Sequence, residues 1–455
     1  MVFEVSILRS KMGRVGSHRL ALTVLASAWL LGGASRFDVL APFVVSSVAL
    51  VVLAVLVGTG RAAPLSRGER WCWGLLLAVF LLQLIPLPPA LWTLFPGHSF
   101  PREIFAVIGA EPWLPWSLTP SRTFASLFAL FPPLAVYLAA KGLTRQEGDR
   151  LLAWLVGFAV VSALLGLLQL AGGPNTALRF YAITNRDAAV GFFSNANHFG
   201  VWLACCVPAA VYLALQLTDQ DSRGANRTIA ITGAGVIALL AAGSVASLSR
   251  AAFGAILVTI LFAGGAFIAR ARLTPKVKIV AAAAPLILLG AVIAAFVQSG
   301  WFERIAEVSE LGEKGRLEMV PIFAQMIADT LPLGTGIGSF DAVHRGYEDY
   351  QVLGSTYLNN AHNDLAQILI EAGILAAIVL IAWLILIVDR SLAALRNPAQ
   401  MDAGDLGVIR ALALILPIFI LLGHSLVDYP LRASAAAATF VLFVALLAGA
   451  RRKTV

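Results

Sequence analysis

The chain has 455 residues, of which 59% are hydrophobic and 13% charged, and its mean hydropathy is +0.85. That much apolar surface cannot be hidden in one water-soluble core, so a soluble enzyme is excluded and a polytopic membrane protein is expected. The net charge of +8 does not by itself indicate nucleic acid, because in such a chain the first question is which connections hold the bases.

In chain order, twelve apolar segments reach spanning length, at about 19–34, 39–58, 71–94, 122–140, 151–171, 199–217, 228–243, 252–269, 279–297, 365–388, 408–423 and 433–450. Arg9, Lys11, Arg14 and Arg19 before the first, and Gly32, Gly33 and Ala34 after it, imitate a cleaved signal peptide. Cleavage there would leave the orientation of the later spans unchanged. Cys72, Cys205 and Cys206 all lie inside apolar runs and read as packing residues, with neither a disulfide framework nor a metal motif.

Placing both termini in the cytoplasm puts 22 of the 33 Lys and Arg into 87 inward-facing residues (1–19, 59–70, 141–150, 218–227, 270–278, 389–410 and 451–455). The other side then holds 11 in about 140 residues, and the positive-inside rule is met connection after connection. The basic excess is topological, and no nucleic-acid partner is expected.

Chemistry is expected on the opposite, external side. Residues 95–121 carry Trp113 and Trp116 among prolines and read as an interfacial aromatic segment. The loop 172–198 holds Arg179, Tyr181 and Arg186, and leads through Asn195, Asn197 and His198 into the sixth span. Those last three admit two readings, as caps of a helix end or as binding groups. In the short turn Ser244–Arg250, Arg250 either snorkels to headgroups or holds an anion with its planar fork.

The largest external segment runs from 298 to 361, too long for an idle connection. Trp301, Phe302, Ile305 and Val308, and then Leu317, Val320, Phe323 and Ile327, recur at helical spacing and predict two amphipathic helices lying on the membrane. Arg316 opens the second, and the glycine run Leu333–Ser339 that follows it reads as a flexible turn rather than a phosphate loop.

Next comes the most polar helix entrance in the chain. His362, Asn363, Asp364, Gln367 and Glu371 lead into seventeen uncharged residues, 372–388. Asp364, Gln367 and Glu371 fall on one helical face, predicted to point into the bundle because intramembrane ionisable groups avoid lipid. His362, just before or in the first turn, is a candidate general base. The last external turn packs His424, Asp428 and Arg432 into nine residues, where an Asp428–Arg432 pair securing the loop is the expected structural role. No carboxylate pair or His/Cys group has metal-ligand spacing, so neither a metal nor another cofactor is expected.

Taken together, Gly191-Phe192-Phe193-Ser194-Asn195-Ala196-Asn197-His198, the Ser247-Leu248-Ser249-Arg250 turn, Gly315-Arg316 ahead of Pro332–Phe340, and Ala361-His362-Asn363-Asp364 with Glu371-Ala372-Gly373 resemble the O-antigen ligase and O-antigen polymerase superfamily. The motifs fall within 180–432. The resemblance implies a multi-pass glycosyltransferase of the bacterial inner membrane that needs no metal and acts at the periplasmic face. Its donor would be a glycan on undecaprenyl diphosphate, and its acceptor the lipid A core for a ligase or a second lipid-linked glycan for a polymerase. By motif, His362 matches the catalytic base, Arg250 and Arg316 the diphosphate-binding arginines, and Arg186 a further one; Asn195, His198, Asp364, Glu371, His424 and Arg432 are supporting candidates.

The expected fold is an all-α integral membrane protein of about 12 transmembrane helices. Spans 1–9 occupy residues 1–297, a large periplasmic loop with short amphipathic helices occupies 298–361, and spans 10–12 occupy 362–455, within one membrane domain. A lipid-linked glycan flippase is the competing class. It predicts polar groups near the bilayer midplane on broken helices, whereas here they gather at one boundary.

Overall fold

The structure, a computed structural model, describes residues 2–34, 40–220, 226–271, 319–348 and 358–449. Among them the fold is helical, with one two-residue β pair. The elements are α1 (Val2–Leu31), α2 (Leu40–Gly58), α3 (Arg67–Leu84), β1 (Pro86–Leu87), α4 (Pro89–Trp92), α5 (Ser99–Ile108), β2 (Leu114–Pro115), α6 (Pro120–Phe128), α7 (Phe131–Ala140), α8 (Arg145–Ala171), α9 (Ala196–Gln220), α10 (Asn226–Ala246) and α11 (Arg250–Arg270). After a helix over 319–330, α12, come α13 (Phe340–His344), α14 (Asp364–Arg396), α15 (Asp405–His424) and α16 (Ser434–Gly449).

Eight described helices are long and apolar enough to cross a membrane, with α6 and α7 counted as one stretch, and α16 is a shorter apolar helix of 16 residues. They match the predicted second, fourth to eighth, tenth and eleventh spans. The first predicted span, 19–34, coincides with the C-terminal part of α1 up to Leu31, and the ninth, 279–297, lies outside the described residues. The third is corrected: α3 stops at Leu84, because Pro86, Pro88 and Pro89 supply no amide hydrogen for a helical ladder. Its continuation pairs Pro86–Leu87 antiparallel with Leu114–Pro115.

Capping chemistry written in the sequence starts several helices. Ser66 with Glu69 and Thr144 with Glu147 form capping boxes at α3 and α8, and the Ser249 side chain accepts from the Ala252 amide at α11. Helix α9 is the centre of the bundle, with 89% of its spanning window buried against 17% for α10. It packs against α8, α10, α11 and α15. Since lipid is as apolar as the side chains, close packing rather than water exclusion holds such helices together.

At the end of the bundle opposite His362, charges are buried in pairs. Arg410 Nε lies 3.1 Å from Asp149 Oδ1, and the Tyr212 hydroxyl bridges Asp149 (3.1 Å) and Asp402 (2.8 Å). Arg145 pairs with Asp402, and Lys141 with Glu69. Breaking the buried Arg410–Asp149 or Lys141–Glu69 pair is expected to cost about 3–5 kcal/mol, because the remaining charge is left unpaired in the interior.

Two local expectations, for Trp116 and for the glycine run, are corrected around the external segment. Phe100, Val107, Ile108 and Trp113 are exposed as an interfacial segment requires, but Trp116 is buried and donates its indole N–H to the Gly334 carbonyl at 3.2 Å. Helix α12 buries Phe323, a residue of the predicted stripe, and Met326 against Phe340, Ala361 and Ile370, while Val320 is exposed. The predicted helix around Trp301 lies outside the described residues.

The glycine run is a docked element rather than a flexible turn. Helix α14 breaks at Gly373, whose φ of 57° and ψ of −144° leave the helical region, and the run fills the break. Thr335 N–H donates to Ile370 O (3.0 Å), Gly336 N–H to Glu371 O (2.7 Å), and Ile374 N–H to Pro332 O (2.9 Å). These bonds use backbone groups that the break would otherwise leave unpaired in an apolar setting. Glycine is required on both sides: a Cβ on Gly373 would sit 2.1 Å from Pro332 O, and one on Gly334 2.6 Å from Ala372 N.

Candidate active site

The site is built where α14 begins. The Asn363 side chain caps α14, accepting from the Ala366 amide at 3.0 Å, and His362 precedes it with φ of 49°, a left-handed conformation unusual for a non-glycine residue. Asp364 N–H donates to Ser425 O at 2.8 Å, tying the start of α14 to the end of α15. This brings the 425–432 turn against His362.

His362 Nδ1 lies 3.0 Å from Asp428 Oδ1, and Asp428 is 1% exposed. An ionised carboxylate only accepts, so Nδ1 carries the hydrogen and Nε2 is left as the proton-accepting nitrogen. Asp428 is held in turn: Asn197 Nδ2 donates to its Oδ2 at 2.9 Å and the Tyr429 amide to its Oδ1 at 3.0 Å. His198 Nε2 and His424 Nε2 each stand 3.8 Å from its carboxylate, beyond hydrogen-bond length. Burial alone would raise the Asp428 carboxyl, but the neighbouring histidines, His198 and His362, outweigh it and hold the group well below the usual carboxylate range. The Tyr429 ring sits edge-on to both His198 (5.0 Å) and His362 (4.8 Å).

This corrects the expected Asp428–Arg432 pair. Arg432, in the single turn Pro430–Arg432, reaches the polar face of α14 instead, with Nε 3.0 Å from Asp364 Oδ1 and Nη2 3.5 Å from Glu371 Oε2. The predicted inward face is present, as Asp364, Gln367 and Glu371 are all buried.

The loop before α9 divides its candidates. Asn195 is a cap, its side chain accepting from the Asn197 amide at 2.8 Å, whereas Asn197 and His198 join the Asp428 cluster. Arg179 holds the loop together by donating to the carbonyls of Asn185, Arg186 and Ala188. Arg186 is exposed, donates to Asn175 Oδ1 at 2.9 Å, and borders a cavity of about 240 Å³ lined also by Arg179, Tyr181 and Thr184.

Arg250 is the first residue of α11 and is exposed. Its turn is packed onto the start of α9: Ser244 Oγ donates to Gly200 O at 2.9 Å, and Leu248, with φ of 57°, lies against Ala188, Val190 and Ala196. Arg250 therefore shares the end of the bundle that carries His198 and Asp428. Arg316 lies outside the described residues.

Sequence reasoning missed the roles of Asp428, Asn197 and Tyr429. The spacing Asp428/Arg432 invited a local pair, and nothing in the linear order pointed from residue 428 to residues 362 and 197.

The fold and site define a multi-pass helical membrane protein with a half-buried histidine, His362, paired to a buried aspartate, Asp428, at one end of its bundle. The family model described as O-antigen ligase matches residues 234–381, the stretch that contains Arg250, Arg316, His362 and Glu371, so the chain is similar to that family there. No curated protein matches the chain. The family suggests a membrane enzyme of ligase or polymerase type.

Proposed function

We propose that the protein transfers a glycan from an undecaprenyl-diphosphate carrier to an acceptor hydroxyl at the periplasmic face of the inner membrane, the lipid A core being the acceptor. The observation that carries this reading is the His362 Nδ1–Asp428 Oδ1 contact at 3.0 Å, which orients an imidazole with Nε2 available as a base. Glycosyl transfer from a diphosphate needs a base for the attacking hydroxyl and positive charge for the departing diphosphate. His362 supplies the first. Arg250, Arg316 and Arg186 supply the second without a metal, their guanidinium forks matching phosphate oxygens in two-point contact. A single displacement of this kind inverts the anomeric carbon.

A flippase reading is weakened by the break in α14. That break is the feature a transporter would use, but its freed backbone groups are bonded to the 332–336 chain rather than turned toward a cargo.

The deciding experiment is deletion of the protein followed by glycan analysis. Loss of polymer from the lipid A core, with lipid-linked polymer accumulating, identifies a ligase. Loss of long chains with single repeats retained identifies a polymerase, and retention of both products refutes glycan transfer.

A further inference from the structure

His362 occupies a left-handed backbone conformation, which for a bulky residue persists only where its surroundings enforce it. Besides the Asp428 contact, the Asn363 cap and the Asp364–Ser425 tie, the contacts on the preceding residues trace back to one side chain. Glu371, 0% exposed, accepts on Oε1 from the Phe340 amide (3.3 Å) and from Gln367 Nε2 (3.0 Å). Gln367 in turn accepts from the Ala361 amide at 2.9 Å and donates to Asn360 Oδ1 at 3.2 Å. The main-chain carbonyl of Glu371 adds two more ties, accepting from Gly336 N–H and from Gln83 Nε2.

We infer that Glu371 and Gln367 are a positioning pair that sets the backbone of His362, linking it to the glycine run, and that Arg432 serves this pair rather than the substrate. The chemistry requires it in this order. A carboxylate with no exposed surface must be compensated, and Arg432 Nη2 at 3.5 Å from Oε2 is the charge that does so. Asp364 takes the other side of the same guanidinium at 3.0 Å, so two of its faces are engaged by protein carboxylates. With Arg432 so committed, Glu371 stays an acceptor, Gln367 is forced to donate to it, and the opposite end of the Gln367 amide must accept from Ala361, the residue immediately before His362. The amide orientation is therefore determined along the whole relay.

The inference rests on the reading of His362 as the base. It is tested on the purified full-length protein by hydrogen exchange over residues 358–364 together with steady-state kinetics, using Gln367→Ala and Glu371→Gln. Exchange at the Ala361 amide should accelerate about tenfold in Gln367→Ala, since its acceptor is removed. Turnover should fall by roughly 10²-fold in both variants, the penalty of a misplaced catalytic group, with donor affinity changed less than about twofold. The double variant should be no slower than the slower single variant, because both cut one relay. Unchanged exchange at Ala361 in Gln367→Ala overturns the relay, and wild-type turnover with accelerated exchange overturns the positioning role. Losses that multiply in the double variant, or a fall in donor affinity equal to the fall in turnover, overturn it as well. Wild-type turnover in His362→Ala would instead sink the base assignment and leave the exchange result standing. Glu371→Gln could fail to fold, and Gln367→Ala, which leaves the Glu371–Arg432 pair intact, then carries the test.

Discussion

Replacing Asp428 with Asn probes the site most directly, because it keeps the side-chain shape and removes only the charge and one acceptor. Asp428 accepts from His362 Nδ1 and the Tyr429 amide on one oxygen and from Asn197 Nδ2 on the other. An amide has a single acceptor oxygen, so the substituted side chain must turn its NH₂ toward either His362 or Asn197, and both are donors there. At 1% exposure no bulk water replaces the lost bond. A hydrogen bond to a charged group is worth about 1.5–3 kcal/mol. At about 1.36 kcal/mol per factor of ten, this is a loss of roughly 10- to 150-fold in kcat. The assay is initial-rate transfer by purified protein from a synthetic lipid-linked glycan, at matched protein levels, with donor affinity measured separately and expected to hold. The pH dependence has a definite sign. The Asp428 carboxyl is held below its ordinary value, so its stabilisation is fully present above about pH 4 and is lost as pH falls through the lower folded value. The difference in melting temperature between wild type and Asp428→Asn should therefore narrow only under acid conditions. Wild-type kcat in the variant would refute the orienting role, and a loss confined to donor binding would reassign Asp428 to substrate holding.

His362→Ala should abolish transfer while lipid-linked donor still binds, and wild-type activity should rise with pH if His362 is a base; activity that fades as pH rises would make it a charge-holding imidazolium. Arg250→Lys should remain impaired in donor binding despite its retained charge, since an ammonium cannot make the planar two-point contact; normal binding and turnover in Arg250→Ala and Arg316→Ala would remove both from the site. A reporter fused after Gly338 should be active only in the periplasm, and cytoplasmic activity would invert the proposed topology. Gly373→Ala should lower thermal stability by more than the usual 1–3 kcal/mol of a strained backbone position, because its Cβ would also meet Pro332 O at 2.1 Å; an unchanged melting temperature would mean that the α14 break is not set by this residue.

What the sequence determined alone was whatever is local or compositional. Hydropathy marked eight of the described spanning helices because a bilayer demands long apolar runs. Capping at Ser66, Thr144, Ser249 and Asn363 is written within four residues of each helix start. The inward face of Asp364, Gln367 and Glu371 follows from helical periodicity. The superfamily motifs, short but ordered, pointed to the family whose model matches residues 234–381.

Tertiary structure decided the partners. Asp428 was assigned to Arg432 four residues away, yet it faces His362 and Asn197, because the first turn of α14, the end of α15 and the start of α9 meet at one end of the bundle. Trp116 looked interfacial, but it is buried because Gly334 arrives beside it from a distant segment. The glycine run looked flexible because glycine permits many conformations; it is docked because the break at Gly373 frees backbone groups that its closely approaching backbone pairs with. A one-dimensional pattern records how each segment meets lipid or water, but which buried donor finds which buried acceptor depends on the packing of whole helices, and that information is not periodic in the chain.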